Sequence, residues 1–218
     1  MGLLDRLASR RSEPGGPVVQ SLLVDEPLFA TKALRKLLGS LTTSESRSLL
    51  DLGPVVGSNV AFFGEQLGCK VFVEDLYSEI ERHTRSGAMD KFAAFLSDRF
   101  TQPDGSVDGI LCWDVFDYLD PRSAQILADQ LTRILRQDGT LFAFFGGGKP
   151  IDTHYTKYVI ADEANLKHRP YAASRRRQAS LANRDIIRLF SGLRVSDSFL
   201  MKNNVREILF RKPSYETR

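Results

Sequence analysis

Three acids and two glycines mark the stretches of this chain that could do chemistry. Asp51-x-Gly53-x-x-x-Gly57 follows the apolar run Ser48-Leu49-Leu50 and carries Pro54 inside the turn and Asn59 just beyond it. A buried strand that runs into a glycine-marked turn and then a helix is where an open α/β sheet places a nucleotide-like ligand. The glycines let the backbone turn sharply and approach that ligand closely. About twenty residues on, Glu74-Asp75 closes a second apolar run, and an acid at that spacing can accept hydrogen bonds from two hydroxyls at once.

These residues need a frame to hold them. Arg47–Leu52 reads as the first strand, Val60–Leu67 as the helix after the turn, and Lys70–Asp75 as the second strand, which makes a βαβ unit with a parallel pair. Ahead of it, apolar residues at helical spacing predict a lead-in helix over 28–38. Ile80–Leu96 is mostly helical in pattern, and Ser97–Gly105 is a loop. Val107–Trp113 is a central apolar strand, and Asp120-Pro121 supplies an N-cap and a first-turn proline for the helix that follows. Thr140–Phe145 is a further buried strand ending at Gly146-Gly147-Gly148. A polar stretch over 149–182 is followed by a helix from Asn183 to Phe190 and by two strands, Leu193–Met201 and Val205–Arg211, joined tightly enough to pair antiparallel. Strands alternating with helices and closed by a hairpin predict an α/β fold, a three-layer αβα sandwich.

The chain has 218 residues, 42% of them hydrophobic and 26% charged, which suits one globular core; residues 1–20 read as a mobile N-terminal arm and 21–218 as a single domain. No apolar run approaches the roughly 20 residues of a membrane span. The first residues lack the apolar centre of a secretory signal, so a cytoplasmic protein is expected. Cys69 and Cys112 are far apart and no cysteine or histidine spacing suggests a metal site. A net charge of +3 allows anionic partners without pointing to nucleic acid.

Four segments together resemble the class I S-adenosylmethionine-dependent methyltransferases, over roughly residues 45–148. They are the Asp51-to-Gly57 turn, Val73-Glu74-Asp75-Leu76, the loop Phe100 to Asp108, and the strand-four tip Gly109-Ile110-Leu111-Cys112-Trp113-Asp114-Val115-Phe116-Asp117-Tyr118-Leu119. Leu135-Arg136-Gln137-Asp138-Gly139 matches a structural corner of the same family. The resemblance implies a Rossmann-like, mostly parallel seven-stranded sheet with a C-terminal antiparallel hairpin. It also implies S-adenosylmethionine as cofactor, with S-adenosylhomocysteine as product. Asp51, Gly53, Pro54, Gly57 and Asn59 would meet the methionine end, with Asp51 accepting from the ammonium. Glu74 or Asp75, Asp75 preferred, would take the ribose hydroxyls beside Leu76. Asp98, Arg99 and Phe100 would border the adenine, and Cys112, Trp113 and Asp114 would close the pocket. Where the family most often has glycine, this chain has Val55.

The activity so implied is in-line transfer of a methyl group to an acceptor that the sequence does not identify, a small molecule being preferred over nucleic acid or protein. His154 is the candidate general base, Tyr118 and Tyr155 are candidate substrate contacts, and 149–182 would form an acceptor-side insertion or lid. Bland readings stand beside these: a solvated His154, a Trp113 that only packs the core, and a solvated basic cluster at Arg175-Arg176-Arg177. Three other functions fit parts of the pattern. One is a non-catalytic relative that binds the cofactor or a partner. Another is an NAD-dependent oxidoreductase, against which the turn lacks G-x-G-x-x-G spacing. The third, a nucleic-acid-binding module, rests only on the basic cluster at Arg175-Arg176-Arg177.

Overall fold

A computed structural model describes residues 26–43, 47–146, 154–178, 180–201 and 204–214. The arm over 1–20, Gly147 and Gly148, and the first part of the 149–182 stretch lie outside the described residues. Nine strands are described: β1 Leu28–Ala30, β2 Ser48–Asp51, β3 Lys70–Val73, β4 Val107–Trp113, β5 Leu135–Phe145, β6 His154–Asp162, β7 Asn165–Ala172, β8 Arg194–Leu200 and β9 Arg206–Arg211. The helices are α1 Ala33–Thr42, α2 Gly57–Ala61, α3 Leu76–Arg85, α4 Phe92–Arg99, α5 Pro121–Ile134 and α6 Asn183–Leu189.

The main sheet has the order β3-β2-β4-β5-β9-β8. Its first four strands are parallel, and β9 and β8 add antiparallel to β5 and to each other. Strand alternation sends successive side chains to opposite faces. Leu50, Ile110, Cys112, Leu141, Ala143, Phe145, Ile208 and Phe210 pack under α3, α4, α5 and α6. Leu49, Leu111, Trp113, Phe142, Phe144 and Leu209 pack under α1 and the helical turn after α2. This is the expected Rossmann-like three-layer sandwich with its C-terminal hairpin, with six strands among the described residues where seven were expected.

Several boundaries differ from the expectations, each for a local reason. The lead-in segment is a short strand and then α1, because Leu28–Ala30 pairs antiparallel with Lys167–Asn165 of β7. The helix after the glycine turn is α2 followed by a π-helical turn over Phe62–Gln66. The helical stretch 80–96 breaks between α3 and α4 at Gly87, whose φ of 68° is a left-handed conformation that glycine adopts freely. The expected polar insertion contains the hairpin β6–β7, which joins β1 in a separate three-stranded antiparallel sheet. Among the described residues no helix is long and apolar enough to cross a membrane.

The chain passes from β2 out to β3 and then crosses back to β4 on the other side of β2. The connections therefore diverge at the C-terminal ends of β2 and β4, which is the switch point where open α/β sheets form a ligand crevice.

Candidate functional site

Asp51 ends β2, and the turn behind it is sewn to both neighbours: Leu52 N–H donates to the Leu111 carbonyl at 2.9 Å and Glu74 N–H to the Asp51 carbonyl at 2.8 Å. One carboxylate oxygen of Asp51 accepts from Gly53 N–H at 2.8 Å and from Trp113 Nε1 at 2.7 Å. Burial pushes this carboxyl up to about 6, against the pull of those two donors and with added repulsion from Asp75. Glycine at 53 has a steric reason, since a Cβ there would lie 2.8 Å from two atoms of the indole. Val55 in the turn is 65% exposed. Pro54 is buried, and a Cβ on Gly57 would meet nothing within 4 Å.

The end of β4 faces this turn. Trp113 has φ 49°, and its ring stacks on Tyr158 of β6 with centroids 5.0 Å apart and planes 8° from parallel. Next to it Asp114, buried, accepts from the Tyr77 hydroxyl at 2.5 Å and pairs with Arg177. Asp117 accepts from Gly146 N–H and from Arg177 Nη1, both at 2.9 Å and both on one oxygen. Burial and the neighbouring Asp114 push Asp117 up to about 7, with Arg177 and Gly146 N–H opposing. Tyr118 donates to the His154 carbonyl at 2.8 Å. The rings of Tyr77, Tyr118 and Tyr155 meet edge to face at 4.9–5.9 Å, and burial followed by nearby carboxylates raises all three phenols.

The fold thus brings together Asp51, Gly53, Trp113, Asp114, Tyr118 and Tyr155, and gives the other expected residues different surroundings. Asp75 caps α3, accepting from Ser78 N–H at 3.0 Å and Ser78 Oγ at 2.6 Å, the geometry of an N-cap. Glu74 pairs with Arg99 at 2.6 Å. Leu76, Phe100 and Cys112 are buried in the core beneath α3 to α6, and Asp98 is exposed on α4. Asn59 clips the turn to β6: its Nδ2 donates to the Tyr158 carbonyl at 2.8 Å and its Oδ1 accepts from Ile160 N–H at 2.9 Å. His154 opens β6, half-buried. Tyr155 reaches Glu81, which also accepts from Ser174. Sequence reasoning did not single out Tyr77 or Tyr158, whose β-strand or helical settings carry no distinguishing spacing. Arg177 was visible only as one of three adjacent arginines.

No family model matches the chain and no curated protein matches it. Among solved structures it is similar to a 1,6-didemethyltoxoflavin-N1-methyltransferase of Burkholderia thailandensis, solved with 1,6-didemethyltoxoflavin and S-adenosylhomocysteine bound. The identity is 16% over 84% of this chain and 79% of that one, with a TM-score of 0.49. A SAM-dependent methyltransferase of Methanosarcina mazei is 12% identical over 78% of this chain and 94% of that one, TM-score 0.48. The glycopeptide N-methyltransferase MtfA complexed with S-adenosylmethionine is 13% identical over 83% and 93%, TM-score 0.47.

Proposed function

We propose that this chain binds S-adenosylmethionine in the crevice between the ends of β2 and β4 and transfers its methyl group to a small-molecule acceptor. The observation that carries this reading is the meeting of Asp51, Gly53 and Asp114 at the switch point of a Rossmann-like sheet. The donor set suits the cofactor's chemistry: carboxylates at Asp51 and Asp114 for an ammonium, and Asp75 or Glu74 at the end of β3 for the ribose hydroxyls. When bound, the sulfonium supplies a reactive methyl and a good leaving group, so the chain's task is to align the acceptor. His154, Tyr118 and Tyr155 are the residues proposed for that, with His154 as base where the acceptor carries a proton.

A second reading has its own support. The indole of Trp113 lies against Gly53, and Arg177 ties up Asp114 and Asp117, so the crevice's polar groups are satisfied by the chain itself. That arrangement suits a relative that binds the cofactor or a partner without turnover. Titration calorimetry with S-adenosylmethionine and S-adenosylhomocysteine on the wild type, Asp75→Ala and Gly57→Arg tests the site. Binding that both variants weaken supports it; no heat from the wild type with either ligand ends the cofactor reading. Tight binding of S-adenosylhomocysteine with no turnover on any acceptor selects the second reading.

A further inference from the structure

Arg177 is one of three adjacent arginines, yet its surroundings are unlike those of a surface cation. Its side chain is 19% exposed, and its guanidinium meets Asp114, Asp117 at 2.9 Å and the Tyr118 hydroxyl at 3.2 Å. It also lies over the Tyr118 ring, 5.4 Å from the centroid. It lies against Gly146, where a Cβ would fall 2.7 Å from Nη1.

The segment that delivers it is irregular and held from both sides. Ser174 bonds Glu81 through N–H at 2.8 Å and Oγ at 2.5 Å. Arg175 Nε donates to the Tyr118 carbonyl at 2.6 Å, and Gln178 N–H donates to the Asp117 carbonyl at 2.6 Å. Residues 174–178 therefore form a strap from the middle of α3 to the 3-10 turn Val115–Tyr118, pinned at its outer end by Glu81 and at its inner end by Arg177 and Gln178.

A buried carboxylate that loses its cationic partner keeps an uncompensated charge, which strongly disfavours simple withdrawal of Arg177. A ligand bearing a primary ammonium removes that obstacle at Asp114 by giving it a new cation in the place of the old one, while Asp117 keeps its bond from Gly146 N–H. We propose that Arg177 is an autoinhibitory occupant of the crevice, displaced together with the 174–178 strap when the ammonium of a ligand's amino-acid end takes its place on Asp114. This rests on the S-adenosylmethionine reading. Displacement scales affinity by the fraction of molecules already open, so even a strap closed only nine times in ten lowers apparent affinity about tenfold, and a tighter closure lowers it more.

The test compares two probes on the full chain. S-adenosylhomocysteine carries the ammonium; 5′-methylthioadenosine has the same nucleoside thioether without it. Arg177→Gln should bind S-adenosylhomocysteine about tenfold more tightly than the wild type in calorimetry, with little change for 5′-methylthioadenosine. In the wild type, saturating S-adenosylhomocysteine should speed hydrogen exchange of the Gln178 amide, and 5′-methylthioadenosine should not. Equal or weaker binding by a folded Arg177→Gln variant overturns the proposal alone. If the variant does not fold, unchanged Gln178 protection in the saturated wild type overturns it. Absence of binding by the wild type to either probe overturns the cofactor reading and this inference with it.

Discussion

Asn in place of Asp117 should flatten the pH dependence of stability between pH 5 and 7. The Asp117 carboxyl, ordinarily at 3.8, is pushed to about 7 by burial and by Asp114. A raised folded-state pKa means that the folded protein holds a proton which the unfolded chain releases. The stabilisation is complete below the unfolded value and is lost as pH rises through about 7. At 1.36 kcal/mol per pH unit the whole effect is about 4 kcal/mol, of which about 2–3 kcal/mol falls between pH 5 and 7. Asparagine can keep the geometry, because the Gly146 N–H and Arg177 bonds both end on one oxygen and an amide oxygen accepts both. Asp51, raised to about 6 by burial, adds loss of the same sign in both proteins. His168, which burial lowers, adds a term of opposite sign in both. The difference between wild type and Asp117→Asn isolates the one proton. Urea titrations at pH 5, 6, 7 and 8 measure it through the midpoint at constant m. Parallel stability profiles for the two proteins would refute the reasoning.

Four further outcomes follow. Trp113→Phe removes one of the two donors that Asp51 accepts from, which should cost about 1–3 kcal/mol in chemical denaturation. Trp113 is also the single tryptophan of the chain, so ligand entering beside Gly53 should change the wild-type indole fluorescence, and a titration without such a change would place the ligand elsewhere. Asn59→Ala strands the Tyr158 carbonyl and the Ile160 N–H. A loss of about 2–4 kcal/mol is expected, with faster exchange of the Ile160 amide. Asp75→Ser should keep the cap on α3 and the melting temperature while weakening S-adenosylhomocysteine binding, whereas Asp75→Ala should also lose about 1 kcal/mol of stability. If Asp75→Ser binds like the wild type, Asp75 is a cap and nothing more, and Glu74 inherits the ribose assignment.

What the sequence made legible was whatever local periodicity dictates. Arg47–Leu52 had to hold a strand, the Asp120-Pro121 pair had to start a helix, and Asp51 had to close that strand at a glycine turn; all three are so placed. The hairpin over 154–172 was not legible, because Tyr155, Thr156, Tyr158, Val159 and Ile160 are all buried and give no alternation of polar and apolar residues. Its lysines, histidines and arginine read as a polar loop, although several lay stems or rings against the fold. Phe29 and His168, for example, stack at 3.9 Å. The site's partners were hidden for a different reason. Asp51 and Trp113 are 62 residues apart and Asp114 and Arg177 are 63 apart, and no local rule joins residues at such separations. Asp75 shows the converse: spacing alone could not separate a ribose-binding acid from a helix cap, since both want a carboxylate at the end of a strand.

Trp113 is the residue on which these scales meet. A bulky side chain at φ 49° is in a conformation that costs of order 1–3 kcal/mol and persists only where surroundings over-determine it. Here they do so from three sides: Asp51 fixes the indole N–H at 2.7 Å, Tyr158 fixes the ring face, and Gly53 leaves the space that the ring edge occupies. A glycine at 113 would take the same backbone conformation without strain but could satisfy none of these contacts. The strain is thus tied to the ring's position over the turn rather than to the backbone's path. Gly53 allows close approach of this indole. On the cofactor reading, ligand and indole would compete for one surface, and a molecule bound at Gly53 would have to supply Asp51 with the hydrogen bond that Trp113 gives up.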